Sequence, residues 1–195
     1  TTKGDTIDTY RVHIGHQTVT MPKAMATGRL DVDNLTDRIV VRGKDFEIPF
    51  SKSTGLIENA TVDGKTVIKH GPFLHLYINL NHLSGAEVRK AATFYETRPE
   101  DWTLGKIDYR KTADGVALEV SGNYSGTHVV FNISISQRGE MVMSYHTDGA
   151  PNGYLRETGL QLMLPADADM LSWQRNGYWD CYPDGAFVGN DGSTP

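Results

Sequence analysis

K-I-D-Y-R-K-T-A-D-G-V-A-L-E-V-S-G-N-Y-S-G-T-H-V-V-F-N-I-S-I-S-Q-R-G-E-M-V-M-S-Y-H-T, from Lys106 to Thr147, is a stretch read two residues at a time. Apolar and polar positions alternate through Lys106–Lys111, Val116–Tyr124, His128–Ser136 and Met141–Thr147. Successive strand side chains point to opposite faces, so this alternation describes strands with one buried and one wet face. Asp114-Gly115, Ser125-Gly126 and Arg138-Gly139 separate the runs, and each is a pair suited to a tight turn. The stretch predicts an up-and-down antiparallel meander.

The same rhythm extends upstream. Ile39-Val40-Val41 and then Phe46, Ile48 and Phe50 predict two strands around Gly43-Lys44. Ser51–Gly55 reads as a turn, and Leu56–Val62 as a strand. Asp63-Gly64 supplies the residue pair of a type I′ hairpin, with Thr66–Lys69 as the return strand. Gly71-Pro72 reads as punctuation before a new run, Phe73–Leu80. Ser84–Tyr95 is the one predicted helix, with Ser84 and Glu87 at capping-box spacing and Arg98-Pro99 beyond its end. Downstream, Leu155–Leu164 leads to Pro165. Residues 1–33 carry weak signals and read as a lead-in or linker, and 34–195 as the sandwich domain. Short strands punctuated by 20 glycines predict an all-β antiparallel sandwich, not βαβ units.

Composition narrows the classes. With 38% hydrophobic and 22% charged residues the chain has an ordinary globular make-up. A net charge of −5 and the lack of a Lys/Arg run argue against nucleic acid as a partner, and no apolar run has the length of a membrane span. The chain opens Thr-Thr-Lys without an initiator Met, as a processed or excised product would. One cysteine, Cys181, cannot close an internal bridge and reads as a small buried hydrophobe. The compartment stays open, with periplasmic and secreted both compatible.

Motif searching returns no phosphate loop, nucleophile elbow, zinc pattern or triad order, and no cofactor or metal is expected. His13 and His16 would face opposite sides of a strand, which makes a metal pair there a poor fit. Glu96, Glu100 and Asp101 bracket Pro99 in what reads as a solvated loop. Asn34, Asn59, Asn123 and Asn132 head Asn-x-Ser/Thr sequons, taken as chance occurrences.

The densest chemistry lies in Leu171–Asp184, L-S-W-Q-R-N-G-Y-W-D-C-Y-P-D. It concentrates Trp173, Trp179, Tyr178 and Tyr182 in a chain that is 9% aromatic, and it ends on a Pro183-Asp184 turn. Rings with apolar faces and polar tips suit a buried corner, a protein contact or a platform for sugar C–H surfaces. Asp180 and Asp184 flank those rings and could accept bonds from hydroxyls, although turn hydrogen bonding also accounts for them.

This stretch resembles the W-x-G-x-G-P-x-E-x-Y-P-D signature of the C-terminal, small-chain domain of family 2 β-galactosidases. Trp173, Gly177, Tyr182, Pro183 and Asp184 match without a gap, Asp180 stands for the glutamate, and Arg175 and Tyr178 depart from the pattern. Val41–Ile57, Asp63-Gly64-Lys65, Gly71-Pro72-Phe73-Leu74, Gly159-Leu160 and Leu164-Pro165 fit the same domain in order. The resemblance implies a galactose-mutarotase-like β-supersandwich, truncated on its C-terminal side at Pro195. It implies no catalytic residue here, since in that family the paired glutamates sit on a separate barrel. Tyr77-Ile-Asn-Leu-Asn-His replaces the family's Arg-x-Pro-x-Asp-Asn-Asp, which leaves the sugar open.

Three readings follow. The first is an accessory domain of a β-galactosidase-like hydrolase, with a catalytic barrel and carbohydrate as partners. Trp173, Gly177 and Pro183 would then be structural anchors, and Trp179, Tyr178, Asp180, Tyr182 and Asp184 carbohydrate-binding candidates. The second is a stand-alone carbohydrate-binding module. The third is a mutarotase-like epimerase, which needs a convergent His with a carboxylate or Tyr, and His75, His146 and Glu157 are its candidates.

Overall fold

The computed structural model describes residues 28–79, 94–124, 126–149, 154–174 and 191–194. They fall into two compact units, one ending at Pro165 and the other beginning at Ala166.

In the first unit the meander forms as read. β7 (Thr103–Lys111), β8 (Gly115–Tyr124), β9 (Thr127–Ser136) and β10 (Met141–Asp148) make a four-stranded antiparallel sheet in the order β10-β9-β8-β7. The second sheet is built from β1 (Asp31–Asn34), β2 (Arg38–Arg42), β3 (Phe46–Ser51), β4 (Ile57–Val62), β5 (Lys65–Asn79), β6 (Phe94–Glu96) and β11 (Tyr154–Met163). Its order is β1-β2-β3-β4-β5-β11, with β6 also on β5. The hairpin between β4 and β5 turns at Asp63 and Gly64, whose φ of 48° and 74° are the two positive values that a type I′ turn requires.

Two apolar clusters bind the sheets face to face. One joins Val41, Phe50 and Ile57 to Val116, Leu118, Ile133 and Ile135. The other joins Leu74, Leu76 and Ile78 to Val120, Tyr124, Val129 and Phe131. Each fully buried side chain of this kind contributes about 1.5–3 kcal/mol relative to exposure. Trp102 sits against the second cluster, its ring centre 5.1 Å from that of Tyr124 and 5.4 Å from that of Phe131. Its indole N–H donates to the Thr54 carbonyl at 2.7 Å, tying the start of β7 to the β3–β4 turn.

Two expectations are corrected. Gly71-Pro72 does not end a strand, because β5 runs through it to Asn79. Pro72 lies where the register with β11 skips from His70 to Phe73, and a bulge is where a strand tolerates a residue without an N–H. Phe94 and Tyr95 are not the end of a helix but part of β6, where they pair with Asn79 and Ile78. The rest of the predicted helix, Ser84–Thr93, lies outside the described residues; among the described residues the one helical turn is the short 3-10 piece Pro99–Asp101.

The central strand β5 is satisfied by side chains where neighbouring strands leave a gap. β4 covers it up to Gly71 and β6 resumes at Tyr77. Between them the Leu74 N–H donates to the Tyr124 hydroxyl at 3.1 Å. The Thr97 hydroxyl accepts from the Leu76 N–H at 2.9 Å and donates to the Leu74 carbonyl at 2.6 Å, while the Thr97 N–H donates to the Leu76 carbonyl at 3.1 Å. Thr97 thus substitutes for a missing rung of the ladder.

Candidate functional site

In the second unit, β12 (Leu171–Gln174) pairs antiparallel with β13 (Asp191–Thr194). Trp173 is half-buried and stands opposite Gly192, where any Cβ would overlap the indole ring. A glycine there lets the ring lie flat across the neighbouring strand. Gln174 and Asp191 occupy one rung, so residues 175–190 leave from and return to a single position of this hairpin. Gly177, Tyr178, Trp179, Asp180, Cys181, Tyr182, Pro183 and Asp184 belong to that stretch and lie outside the described residues, as do His13 and His16.

A second cluster lies on β5 and β11. Register places Gln161 beside Phe73, Gly159 beside His75 and Glu157 beside Tyr77. These residues share the face opposite Leu74, Leu76 and Ile78, which point into the core. His75 Nε2 lies 2.9 Å from Glu157 Oε2, and Gln161 Nε2 donates to His75 Nδ1 over 3.5 Å. That arrangement sets the ring proton on Nε2, directed at the carboxylate. The His75 side chain is 21% exposed and that of Glu157 65%, so the pair is a held imidazole under an open carboxylate. Farther along the row, His70 and Phe73 meet edge to face with ring centres 5.0 Å apart, and His70 Nε2 is buried without a hydrogen-bond partner among the described residues.

The structure therefore joins two of the three histidine and carboxylate candidates and leaves the third apart. His146 stands on β10 with Asp148 at 3.1 Å, both exposed. Glu96, Glu100 and Asp101 are exposed around the 3-10 turn. The four sequon asparagines, Asn34, Asn59, Asn123 and Asn132, all lie at exposed positions. Among the described residues no three His, Cys, Asp or Glu side chains are grouped as a metal centre, and no helix is long and apolar enough to cross a membrane. Sequence reading missed Gln161 and Gly159 as partners of His75. Their signal was the period-two row Glu157, Gly159, Gln161, set against Thr158, Leu160 and Leu162.

Two facing antiparallel sheets in the first unit, with a strand pair in the second, define an all-β sandwich protein. The sequence model of the family described as beta galactosidase small chain matches residues 42–189, a span that takes in β3–β12 and the whole aromatic stretch. The chain belongs to that family. A search of individual curated proteins finds no significant match.

Proposed function

We propose that the chain is a non-catalytic β-sandwich domain of a family 2, β-galactosidase-like glycoside hydrolase. It packs on the catalytic barrel of that enzyme and brings the turn between β12 and β13 to the sugar. The observation that carries this reading is the family match, which runs as one block from Arg42, at the end of β2, past the Tyr182-Pro183-Asp184 sequence. In this reading Trp173 anchors the hairpin, Gly177 and Pro183 shape the turn, and Trp179, Tyr178 and Tyr182 offer apolar faces to sugar C–H surfaces. Asp180 and Asp184 accept hydroxyl protons at the rim.

The test is reconstitution. The chain alone should leave a chromogenic β-galactoside intact, and adding it to a catalytic-barrel polypeptide that lacks this domain should raise hydrolysis. Trp179→Ala should lose about tenfold of that gain while the unfolding midpoint stays put, as expected for one aromatic platform. Hydrolysis by the purified chain alone, or no gain on mixing, would refute the reading.

The His75–Glu157 contact favours a second reading, a mutarotase-like epimerase. It is the weaker of the two, because both ring nitrogens are engaged by protein groups and neither is free to serve a substrate oxygen. Polarimetry on freshly dissolved α-D-galactose decides it.

A further inference from the structure

The β5–β11 face carries an unexplained glycine. Glycine in a strand interior weakens the strand, and its usual excuses are a left-handed backbone or a close neighbour. Gly122 and Gly192 have close neighbours, and Gly64 and Gly126 have positive φ. Gly159 has neither: its φ lies outside the left-handed range and, among the described residues, a Cβ there would meet nothing within 4 Å. Among the described glycines it is alone in this. A strand glycine with no reason among the described residues marks a place where another group comes close to the backbone.

What flanks the gap identifies the visitor. Two residues to either side on the same face stand Gln161 and Glu157, whose Cα atoms are about 13 Å apart at the usual strand rise. His75 lies beside the gap on the next strand, held at both nitrogens. Tyr77, half-buried, adds an aromatic body on the neighbouring rung. Glu157 gives one oxygen to His75, and its other oxygen takes no bond among the described residues. The carboxylate only accepts, whereas the amide of Gln161 both donates and accepts. A hydroxyl also does both, so neighbouring hydroxyls on one ring match this mixed set. A protein backbone seated here would have to bury an exposed carboxylate, and interface cores are depleted of such groups.

We propose that this face binds a small polyhydroxylated ligand, in the simplest case a pyranose ring, seated over Gly159 between Gln161 and Glu157. The proposal does not depend on the role proposed for residues 175–190. His75 acts as a positioning residue that fixes the carboxylate before the ligand arrives, which lowers the ordering cost of binding.

The test is a titration of the full ¹⁵N-labelled chain with D-galactose, D-glucose and lactose, following amide shifts. At least one sugar should give saturable shifts at Gly159 and Gln161 with affinity of about millimolar. Glu157→Gln and Gln161→Ala should each weaken binding about tenfold or more, and His75→Phe should do the same with an unchanged circular dichroism spectrum. Gly159→Val should fill the gap, keep the fold and abolish the shifts. The proposal falls if no sugar moves Gly159, or if Gly159→Val binds as the natural chain does. Shifts confined to 175–190 would also overturn it while supporting the β12–β13 turn as the sugar contact. Protection of Gly159 that arises only on adding the catalytic-barrel polypeptide would assign the gap to a protein partner instead.

Discussion

The outward faces of the two sheets are finished in different ways. On the four-stranded sheet one row across the strands is polar, Asp108, Glu119, Asn132 and Ser144, and the next is mixed, Arg110, Ala117, Ser134 and Val142. Those of β7, β8 and β9 border a shallow depression of about 270 Å³ that is open to water. Asp108 and Glu119, like charges directly opposite one another, are tolerated because Lys106 pairs with Asp108 and water screens the rest. On β5 nothing from His70 to Ile78 is exposed, and its outward row is His70, Phe73, His75 and Tyr77. The first face is completed by solvent and the second by side chains. A polar residue is interchangeable on the first, whereas on the second His75 is committed to Glu157 and Gln161.

Adjacent residues of β9 give the largest test of that contrast. Phe131 is 1% exposed and points into the second core cluster, whereas Asn132 is exposed on the polar face. Phe131→Ala should cost about 3–5 kcal/mol from lost burial and the cavity left behind. Asn132→Ala should stay within about 0.5 kcal/mol. Urea midpoints at constant m measure both. A comparable loss for Asn132→Ala would mean that the polar face is covered rather than solvated.

Two glycines provide a smaller contrast. A Cβ on Gly122 would overlap the Thr103 carbonyl and the Trp102 ring, both held in place by the sandwich. Gly122→Ala should destabilise by about 2–3 kcal/mol through overpacking. Gly159→Ala should be neutral or stabilise by about 0.5–1 kcal/mol, since a strand alanine loses less freedom on folding. The thermal midpoint should fall for Gly122→Ala and hold or rise for Gly159→Ala. If Gly159→Ala also destabilises, the glycine has a reason within the fold.

How much of this was legible follows from what each feature depends on. β7–β10 could be read from Lys106–Thr147 because each strand is wet on one side, and that alone imposes the period of two. The Asp63-Gly64 turn could be read because few residue pairs accept two positive φ values. The length of β5 could not, since Gly71-Pro72 carries a turn signal that the bulge absorbs. Phe94-Tyr95 reads as helix only while the open edge of β5 at Ile78 and Asn79 is out of view. Resemblance to the family brought the order of motifs from Val41 to Asp184 into view, and the matched span of 42–189 agrees with it. The His75–Glu157 contact joins residues 82 positions apart, and only the pairing of β5 with β11 brings them together.

The sheets also meet through a buried polar tie, and it gives the finest test. The Tyr124 hydroxyl lies in the core and accepts the Leu74 N–H at 3.1 Å. Burial pushes its pKa from 10.0 up to about 12, with the Leu74 bond offsetting a part of that and Tyr95 and Asp101 adding to it. Tyr124→Phe keeps the ring against Trp102 but strands the Leu74 N–H, which should cost about 1–2 kcal/mol at neutral pH. The pH dependence has a definite sign. Because the folded pKa is raised, the contribution of Tyr124 is fully present below pH 10, where the unfolded phenol still holds its proton. It is lost as the pH climbs from 10 to about 12, where the unfolded chain has ionised and the folded one is about to. The natural chain should therefore lose more stability across that window than Tyr124→Phe does. The difference between their urea midpoints, followed against pH, isolates this group from the chain's other tyrosines. A constant difference through the window would mean that the hydroxyl is as wet as any on the four-stranded face, and that the inner tie between the sheets does not exist.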